Sequence, residues 1–342
     1  MKVLKVVKFV SLLLLILILC SEAFFRWRFK EELKDQFSPL IYEPDTITGY
    51  RFVPNGESEI SKPGIPQKRV KINSLGYFTP QFSIKKKPGT FRIALVGTSI
   101  ASGIWMKGTE SYPNQLRKML EKQYKNVEII NCSLDGQGLG DGLLEMIKTE
   151  IVKYEPDLIL YELSVPVTTG SMFREAYKGY LLQYYTDSTK VLSKKSIDEI
   201  EGKTILKFLY NNSYTFRAFC RNYSYQNIRT ENSKLIRAYR DKISRVEEIR
   251  EYDYTFSKSV KLLTSADSVV SKNGAKLILV AYGTDKKGIL PYLEKSGLTP
   301  VFLNCKFDES DISLPDSHLN EKGHGVIADS LYRQIIRTNF FK

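Results

Sequence analysis

Three residue types that together perform acyl transfer occur in this sequence: a serine at a strand end, a histidine near the C-terminus, and an aspartate just before that histidine. The serine is Ser99, in the tripeptide Gly97-Thr98-Ser99, and the other two are His318 and Asp316. A serine hydroxyl becomes a nucleophile when a base removes its proton, and a histidine acts as that base when a carboxylate orients its ring. The pattern predicts a site made of Ser99, His318 and Asp316.

The sequence contains two histidines, so a histidine base has two candidates. Asp316 precedes His318 by two residues in the same predicted loop, from where its carboxylate can reach Nδ1 and fix the tautomer of the ring. A structural alternative stays open, in which Asp316 and Asn320 cap the last helix and His318 is a surface residue. His324 lies within the predicted final helix, where packing or hydrogen bonding is its expected role.

The elements around Ser99 follow an alternating pattern. The apolar run Ile93–Val96, which ends at Gly97, is typical of a buried parallel strand. Further strands are predicted at 127–131, 157–163 and 276–281, with helices near 112–120, 143–151, 254–272 and 290–296 and a final helix through 336. This alternation predicts an α/β fold with a parallel sheet. Ligands of such sheets bind outside the carboxyl ends of the strands, which is where Ser99 is predicted to lie.

The 342 residues divide into three predicted regions. Residues 1–26 form an N-terminal membrane anchor, residues 27–87 form a lead-in with short strands, and residues 88–342 form the main domain. The short strands are predicted at 42–45, 49–56 and 70–77. The lead-in either packs on the main domain or spaces it from the membrane. An insertion at about 166–250, with helices near 196–209 and 233–251, interrupts the main domain.

The N-terminus contains an apolar run from Phe9 to Cys20, broken only by Ser11, which Lys2, Lys5 and Lys8 precede. A cleaved signal peptide is one interpretation, but no small-x-small cleavage site follows the run. The favoured prediction is an uncleaved single-pass helix, because the 17 to 20 residues from Phe9 or Val6 through Phe25 are just long enough to span a bilayer. Basic residues flank both sides, so they do not fix the orientation. A signal anchor ordinarily leaves the N-terminus in the cytoplasm, which would make the main domain extracytoplasmic, either periplasmic or at the cell surface.

The chain is basic, with a net charge of +13. A nucleic acid, an anionic lipid or an anionic polysaccharide would fit this charge, and so would a lysine-rich proteome, which we favour. The basic residues are dispersed and no nucleic-acid-binding motif is present, so no nucleic-acid partner is expected. The four cysteines are far apart in the sequence, which provides neither metal-ligand spacing nor a C-x-x-C pair. We expect neither a metal ion nor an organic cofactor.

Four sequence blocks, read together, resemble the SGNH hydrolases, which are the GDSL lipase and acylhydrolase superfamily. They are GTS at 97–99, NCSLDGQG at 131–138, PDLILY at 156–161 and DSHLNEKGH at 316–324. The sequence INSLG at 72–76 is similar to the lead-in of membrane-anchored members. The resemblance implies a three-layer α/β/α fold with a central parallel sheet, as in flavodoxin-like proteins, here with an added N-terminal transmembrane helix and a helical insertion.

The resemblance also implies roles for individual residues. Ser99 would be the nucleophile, His318 the base and Asp316 its orienting carboxylate, with the backbone N–H groups of Ser99 and Gly136 in the oxyanion hole. The family adds an Asn side chain after the third strand, but this sequence has Ser164 to Thr169 there and no Asn. The hydroxyl of Ser164, or that of Thr168, would have to take its place.

The resulting functional prediction is a serine-dependent ester hydrolase or O-acyltransferase that passes through an acyl-Ser99 intermediate. Its substrate would be an acylated carbohydrate, such as an O-acetylated glycan, or another small ester on the extracytoplasmic side. The alternative is a catalytically weak or inactive protein of this fold that binds envelope carbohydrate. The missing Asn motivates that alternative, because loss of one oxyanion donor costs roughly 10²–10³ in rate.

Overall fold

A computed structural model gives the architecture of the chain. It describes residues 2–35, 37–62, 65–106, 110–135, 141–163, 174–183, 192–222, 248–282, 290–298, 300–303, 305–313 and 318–338. At its centre is a sheet of five parallel strands: β6 (Phe91–Val96), β7 (Val127–Asn131), β8 (Leu158–Leu163), β11 (Lys276–Tyr282) and β12 (Val301–Leu303). Their spatial order is β7-β6-β8-β11-β12. The chain moves from β6 outward to β7 and then returns to β8 on the other side of β6. The sheet therefore changes direction at β6, and such a switch point opens a crevice at the strand ends.

Helices cover both faces of this sheet. Helices α4 (Tyr112–Gln123) and α11 (Glu321–Thr338) lie on one face, where Leu116 and Leu331 pack with Ile93 and Leu95 of β6. Helices α5 (Asp141–Thr149) and α9 (Glu248–Lys272) cover the other face, in the cluster that includes Ala94 and Val96. Alternate residues of β6 thus face opposite layers, as the period of a strand requires. The three-layer α/β/α fold is confirmed.

The lead-in packs its apolar side chains into the main core. It contains strands β1 (Phe37–Ser38), β2 (Tyr42–Asp45), β3 (Gly49–Phe52), β4 (Glu57–Lys62) and β5 (Ile65–Lys71). Strands β1, β4 and β5 form an antiparallel sheet, and β2 pairs with β3. Buried aromatic residues of this region join the cluster of α5 and α9; they are Phe37, Tyr42, Tyr50, Phe52 and Tyr77. The lead-in therefore packs on the main domain instead of only spacing it from the membrane.

The strand predicted at 70–77 is wrong in its position. Strand β5 ends at Lys71, and the chain then turns around Asn73, whose Oδ1 accepts the backbone N–H groups of Leu75 and Tyr77. An Asn side chain that bonds nearby backbone in this way competes with strand pairing. Strand β12, which has three residues, was not predicted, because a run this short has no measurable periodicity.

The described part of the insertion contains a hairpin and three short helices. Strands β9 (Arg174–Tyr177) and β10 (Tyr180–Gln183) form the hairpin. The helices are α6 (Lys194–Gly202), α7 (Thr204–Asn212) and α8 (214–222). A small separate core, with Leu182, Ile197, Tyr210 and Cys220 among its members, holds them together. The predicted helix at 196–209 is thus two helices that meet at Lys203, and the one predicted at 233–251 lies mostly outside the described residues.

The N-terminal helix α1 runs from Lys2 to Arg28 and a short helix α2 (Lys30–Leu33) follows it. The span Val3–Arg28 is long and apolar enough to cross a membrane, with a mean hydropathy of 2.7 in its most apolar window. None of that window is buried against protein. A signal sequence meets the same criteria, so length and composition do not distinguish the two.

The remaining described elements are short. They are helices α3 (Ser99–Ser102) and α10 (Leu290–Lys295), the 3₁₀ turns Ile151–Tyr154 and Glu309–Asp311, and strands β13 (Ile312–Ser313) and β14 (His318–Leu319). Strands β13 and β14 form a two-residue antiparallel ladder beside the start of α11. The four cysteines are unpaired, and Cys132 is fully buried.

Candidate active site

Ser99 is the first residue of α3, directly after the carboxyl end of β6. Its Oγ lies 2.9 Å from Nε2 of His318, which is hydrogen-bonding distance. Both residues are partly exposed, so a small molecule can reach them. A hydroxyl and an imidazole nitrogen in this geometry can exchange a proton, which is the first requirement of a serine nucleophile. Two residues 219 positions apart in the sequence therefore meet at the switch point of the sheet.

The ladder between β13 and β14 places His318. Ser313 pairs with His318 and Ile312 pairs with Leu319, so the backbone of the histidine is held next to the end of the sheet. Immediately afterwards Asn320 starts α11, because its Oδ1 accepts the backbone N–H groups of Lys322 and Gly323. The predicted capping role of Asn320 is therefore observed, while His318 faces Ser99 instead of solvent alone.

Asn131, at the end of β7, fixes the short helix that begins with Ser99. Its Nδ2 donates to the backbone oxygens of Ala101 at 2.8 Å and Ser102 at 3.3 Å. Its Oδ1 accepts the backbone N–H of Ser133 at 3.1 Å. A four-residue helix has almost no stability of its own, because its first turn fixes several residues for a single bond. Asn131 thus supplies the hydrogen bonds that hold α3 against the neighbouring strand.

A buried carboxyl, that of Glu162, lies beneath the turn that carries Ser99. Glu162 belongs to β8 and is 3% exposed. It accepts hydrogen bonds from Thr98 Oγ1 at 3.2 Å and Tyr112 OH at 2.8 Å, and the hydroxyl of Tyr282 also bonds to it. Burial raises the pKa of this carboxyl, and the hydrogen bonds act in the opposite direction. Burial likewise raises the pKa values of Tyr112 and Tyr282 well above their ordinary range.

Gly97 allows this close approach. A Cβ atom at Gly97 would lie 2.6 Å from Cβ of Glu162 and 2.7 Å from Cβ of Ala101, which is too close for carbon atoms. The space between β6, β8 and α3 therefore has room for a glycine at this position but not for a residue with a side chain.

The opposite wall of the site is built around Trp105. Its ring centre lies 6.4 Å from that of His318, at an interplanar angle of 56°. Its Nε1 donates to Oδ1 of the buried Asp135 at 3.0 Å, and the hydroxyl of Tyr50 donates to the backbone oxygen of the same residue. Phe37 also packs against the indole, at a centroid distance of 5.7 Å. Residues of the lead-in thus support the wall beside His318.

The second histidine has a structural position. His324 is 3% exposed, its ring stacks on that of Tyr112, and its Nδ1 accepts the backbone N–H of Tyr112 at 3.1 Å. Burial lowers the pKa of His324 to about 4, and the nearby charges of His318 and Lys68 add to this shift. An imidazole that accepts a hydrogen bond at Nδ1 is neutral and carries its proton at Nε2. This geometry agrees with the predicted packing role.

The other residues predicted for the site, namely Asp316, Gly136 and Ser164, lie outside the described residues, as does Thr168. Sequence reasoning did not identify Glu162, Trp105 or Asn131 as site residues. Glu162 could have been found, since a charged residue in the otherwise apolar strand sequence LILYEL must be buried with partners. Trp105 gave no such indication, because its role depends on contacts with the distant lead-in.

Within the described ranges no group of three or more His, Cys, Asp or Glu side chains is placed to hold a metal ion. A cavity of about 480 Å³ opens between β5 and α4, and Arg69, Lys71 and Arg117 contribute to its lining. Lys71 is already paired with Glu57 at 2.9 Å. The lining of this cavity includes neither Ser99 nor His318, so the cavity is separate from the candidate site.

No family model matches this sequence, and no curated protein matches it. Solved structures with a similar fold include TesA, at 9% identity and a TM-score of 0.38, covering 71% of this chain and 97% of TesA. EstA from Pseudoalteromonas sp., a psychrotrophic esterase, is similar at 13% identity and a TM-score of 0.40, covering 72% of this chain and 97% of EstA.

A two-domain esterase active on acetylated mannans is also similar, at 12% identity and a TM-score of 0.41. The match covers 73% of this chain and 50% of the esterase, so the chain spans about half the length of that protein. Similarity at this level says nothing about activity, and the function of this chain is inferred from its own residues.

Proposed function

We propose that this chain is a serine-dependent hydrolase or acyltransferase of carboxylic esters, of the SGNH type. The observation that supports it is the 2.9 Å contact between Ser99 Oγ and His318 Nε2 at the switch point of a parallel sheet. Accessible serine and histidine side chains in this contact are the chemical minimum for nucleophilic acyl transfer. The proposed orienting carboxylate is Asp316, and the proposed oxyanion donors are the backbone N–H groups of Ser99 and Gly136, with Ser164 as a further donor.

In the proposed reaction Ser99 Oγ bonds to the ester carbonyl carbon while His318 Nε2 takes the hydroxyl proton. The tetrahedral oxyanion is stabilised by backbone donors, among them the N–H of Ser99, which belongs to the unpaired first turn of α3. The ester C–O bond then breaks, and the leaving alcohol takes the proton from His318. A water molecule, or a sugar hydroxyl in the transferase case, then gives its proton to His318 and bonds to the acyl carbon of acyl-Ser99. The bond between that carbon and Ser99 Oγ breaks, His318 returns the proton to Oγ, and the carboxylic acid or the acylated sugar leaves.

The proposed substrates are O-acetylated glycans or other small esters on the extracytoplasmic side of a membrane that α1 spans once. Analysis of the reaction products distinguishes a hydrolase from a transferase. When an oligosaccharide acceptor is added, its acetylated form appears only if a sugar hydroxyl competes with water for the acyl-enzyme.

Labelling by a fluorophosphonate probe and hydrolysis of p-nitrophenyl acetate test the proposal on the full chain in detergent. The unmodified protein is expected to label and to turn over, and both Ser99→Ala and His318→Ala are expected to do neither. Ser83→Ala is the control, because Ser83 is exposed in the lead-in and its hydroxyl donates to the backbone oxygen of Lys85 at 2.6 Å, so labelling is expected to stay intact. If the unmodified protein fails to label, or if Ser99→Ala labels equally, the catalytic proposal is wrong and the carbohydrate-binding alternative is favoured.

A further inference from the structure

Two helices of the insertion are tied to the last turns of the apolar helix α1. The carboxylate of Glu22 accepts the hydroxyl of Ser213 at 2.9 Å and the backbone N–H groups of Tyr214 and Thr215 at 3.0 Å. Arg26 donates to the same carboxylate at 2.8 Å, and its guanidinium lies 4.6 Å from the ring centre of Tyr214. Glu22 therefore caps the start of α8 from a different helix.

This contact sets the level of α7 and α8 along the anchor. Glu22 follows the apolar run Phe9–Cys20 after one residue and stands six residues before Arg28, about 9 Å from the end of α1 at 1.5 Å per residue. A charged group is costly within the hydrocarbon but is accommodated at the interface with partners. The junction of α7 and α8 thus lies where the apolar run of α1 ends, at the boundary between acyl chains and headgroups.

The same two helices expose large apolar side chains. Among the described residues outside α1, five large hydrophobic residues are exposed, and three of them are Ile205 at 62%, Phe208 at 60% and Phe219 at 64%. Ile205 and Phe208 are three positions apart, which places them on one face of α7. Tyr210 of the same helix is fully buried in the small core of the insertion. Helices α7 and α8 thus pack on the core of the insertion through one side and expose large apolar side chains on another.

Basic residues accompany this apolar face. Lys203 precedes α7 and is exposed, Lys207 lies on α7, and Arg217 lies on α8. Lys207 pairs with Glu201 at 2.6 Å, and Arg217 donates to backbone oxygens of Tyr210 and Asn211. Apolar side chains flanked by cationic ones are the composition of a helix that lies in a membrane interface and attracts anionic lipid headgroups.

We propose that α7 and α8 lie in the interface of the same bilayer that α1 crosses, with Ile205, Phe208 and Phe219 inserted at the acyl-chain boundary. The occupant of this surface is a phospholipid bilayer that contains anionic lipid, because the surface is continuous with the membrane helix through Glu22. Together with α1 it gives the domain several points of attachment and so a fixed orientation on the membrane. The inference rests on the proposed anchoring by α1 and is independent of catalysis by Ser99.

The test uses the full chain in vesicles of phosphatidylcholine and phosphatidylglycerol, with tryptophan quenching by dibrominated phosphatidylcholine. The native tryptophans are Trp27, at the end of α1, and the buried Trp105. In a Trp27→Phe background, Phe208→Trp and Phe219→Trp are each compared with Ile84→Trp, a site exposed by 51% in the lead-in. Inserted side chains are expected to lose about half of their added fluorescence to brominated lipid, and Ile84→Trp is expected to lose almost none.

Each outcome has one meaning. Quenching at positions 208 and 219 but not at 84 supports the proposal. Equal and weak quenching at all three positions overturns it. Shielding of 208 and 219 from aqueous iodide without quenching by brominated lipid also overturns it, in favour of a protein partner or a second copy of the chain. Quenching of native Trp27 in the unmodified chain reports anchoring by α1 separately, so a failure of the anchor is distinguished from a failure of α7 and α8 to insert.

Discussion

Glu162 and Thr98 are joined by a 3.2 Å hydrogen bond directly beneath the turn that carries Ser99. The same carboxyl accepts the hydroxyl of Tyr112 on α4, and the hydroxyl of Tyr282 at the end of β11 bonds to it as well. Strand β8, helix α4, strand β11 and the turn that carries Ser99 therefore meet at one buried group. From its position in β8, next to β6, Glu162 holds the turn that carries Ser99.

Replacing Glu162 tests this positioning role. Glu162→Ala leaves three hydroxyl donors without an acceptor, that of the buried Tyr112 among them, and we expect it to lower the free energy of unfolding by about 3 kcal/mol. Glu162→Gln keeps the shape of the side chain and one acceptor oxygen, so the free energy of unfolding is expected to fall by only about 1 kcal/mol.

Urea unfolding and ester turnover of both variants measure the effect. The kcat of Glu162→Ala on a short ester is expected to fall about 100-fold because Ser99 shifts, while KM changes little. Glu162→Gln is expected to restore most of that activity. If the alanine variant is as active and as stable as the unmodified protein, Glu162 does not position the turn.

Gly97→Ala tests the close packing between β6 and β8. The added methyl would lie 2.6 Å from Cβ of Glu162 and 2.7 Å from Cβ of Ala101, so the strand end or α3 must shift. Overpacking of this kind costs about 1–3 kcal/mol. Gly202→Ala is the matched control, because a Cβ at Gly202 meets no atom within 4 Å. Circular dichroism melting and fluorophosphonate labelling of both variants measure the effect, and Gly97→Ala is expected to melt earlier and to label less than Gly202→Ala. Equal labelling of the two variants would contradict the packing argument.

Trp105→Phe tests the wall beside His318. The change keeps an aromatic ring but removes the N–H that Asp135 accepts, which leaves a buried carboxylate oxygen unpaired at a cost of about 1–3 kcal/mol. Asp135 directly precedes Gly136, the proposed oxyanion donor, so we expect a fall in kcat of about 10-fold with KM nearly unchanged.

The other tryptophan supplies the control for this change. Trp27 is 81% exposed in α1, and Trp27→Phe is expected to leave steady-state ester hydrolysis in detergent unchanged. A selective loss in Trp105→Phe supports a role for the indole in holding the loop after Asp135. A rise in KM alone would instead indicate that Trp105 contacts the substrate.

The sequence was sufficient to predict the parts of the fold that depend on local pattern. The apolar runs that became β6, β7, β8 and β11 have the length and composition of buried strands, and His318 and Ser99 could be paired by residue type. Glu162 and Trp105 required the fold, because their partners Tyr112, Tyr282 and Asp135 come from other elements. The turn at Asn73 was missed because a side-chain oxygen, and not an apolar pattern, ends the strand there.

The position of the lead-in also depends on tertiary contacts. Strands β2 and β3 were predicted there, but the burial of the lead-in against the main core was one of two open alternatives. Phe37 and Tyr50 reach the site wall by contact with Trp105 and by a hydrogen bond to Asp135. Such contacts between residues 68 to 85 positions apart produce no periodicity in either segment, so they cannot be inferred from one sequence.

His324 makes the stability of the protein depend on pH. Its pKa is lowered from the ordinary histidine value of 6.5 to about 4 in the folded protein, because burial disfavours the charged ring. Between pH 6.5 and pH 4, His324 is protonated in the unfolded chain but stays neutral in the folded chain. The free energy of unfolding therefore falls as the pH drops from 6.5 to 4, and this group has no effect on it above pH 6.5. The shift corresponds to about 3 kcal/mol across that window.

The chain's two histidines allow a matched comparison by urea unfolding at pH 7.5 and pH 4.5. His324→Asn keeps an acceptor for the N–H of Tyr112 and cannot titrate, so the difference between the two pH values is expected to shrink by about 2–3 kcal/mol relative to the unmodified protein. His318→Gln retains His324 and should preserve most of that difference. If His324→Asn and His318→Gln lose stability equally on acidification, the acid sensitivity arises from groups other than the buried imidazole of His324.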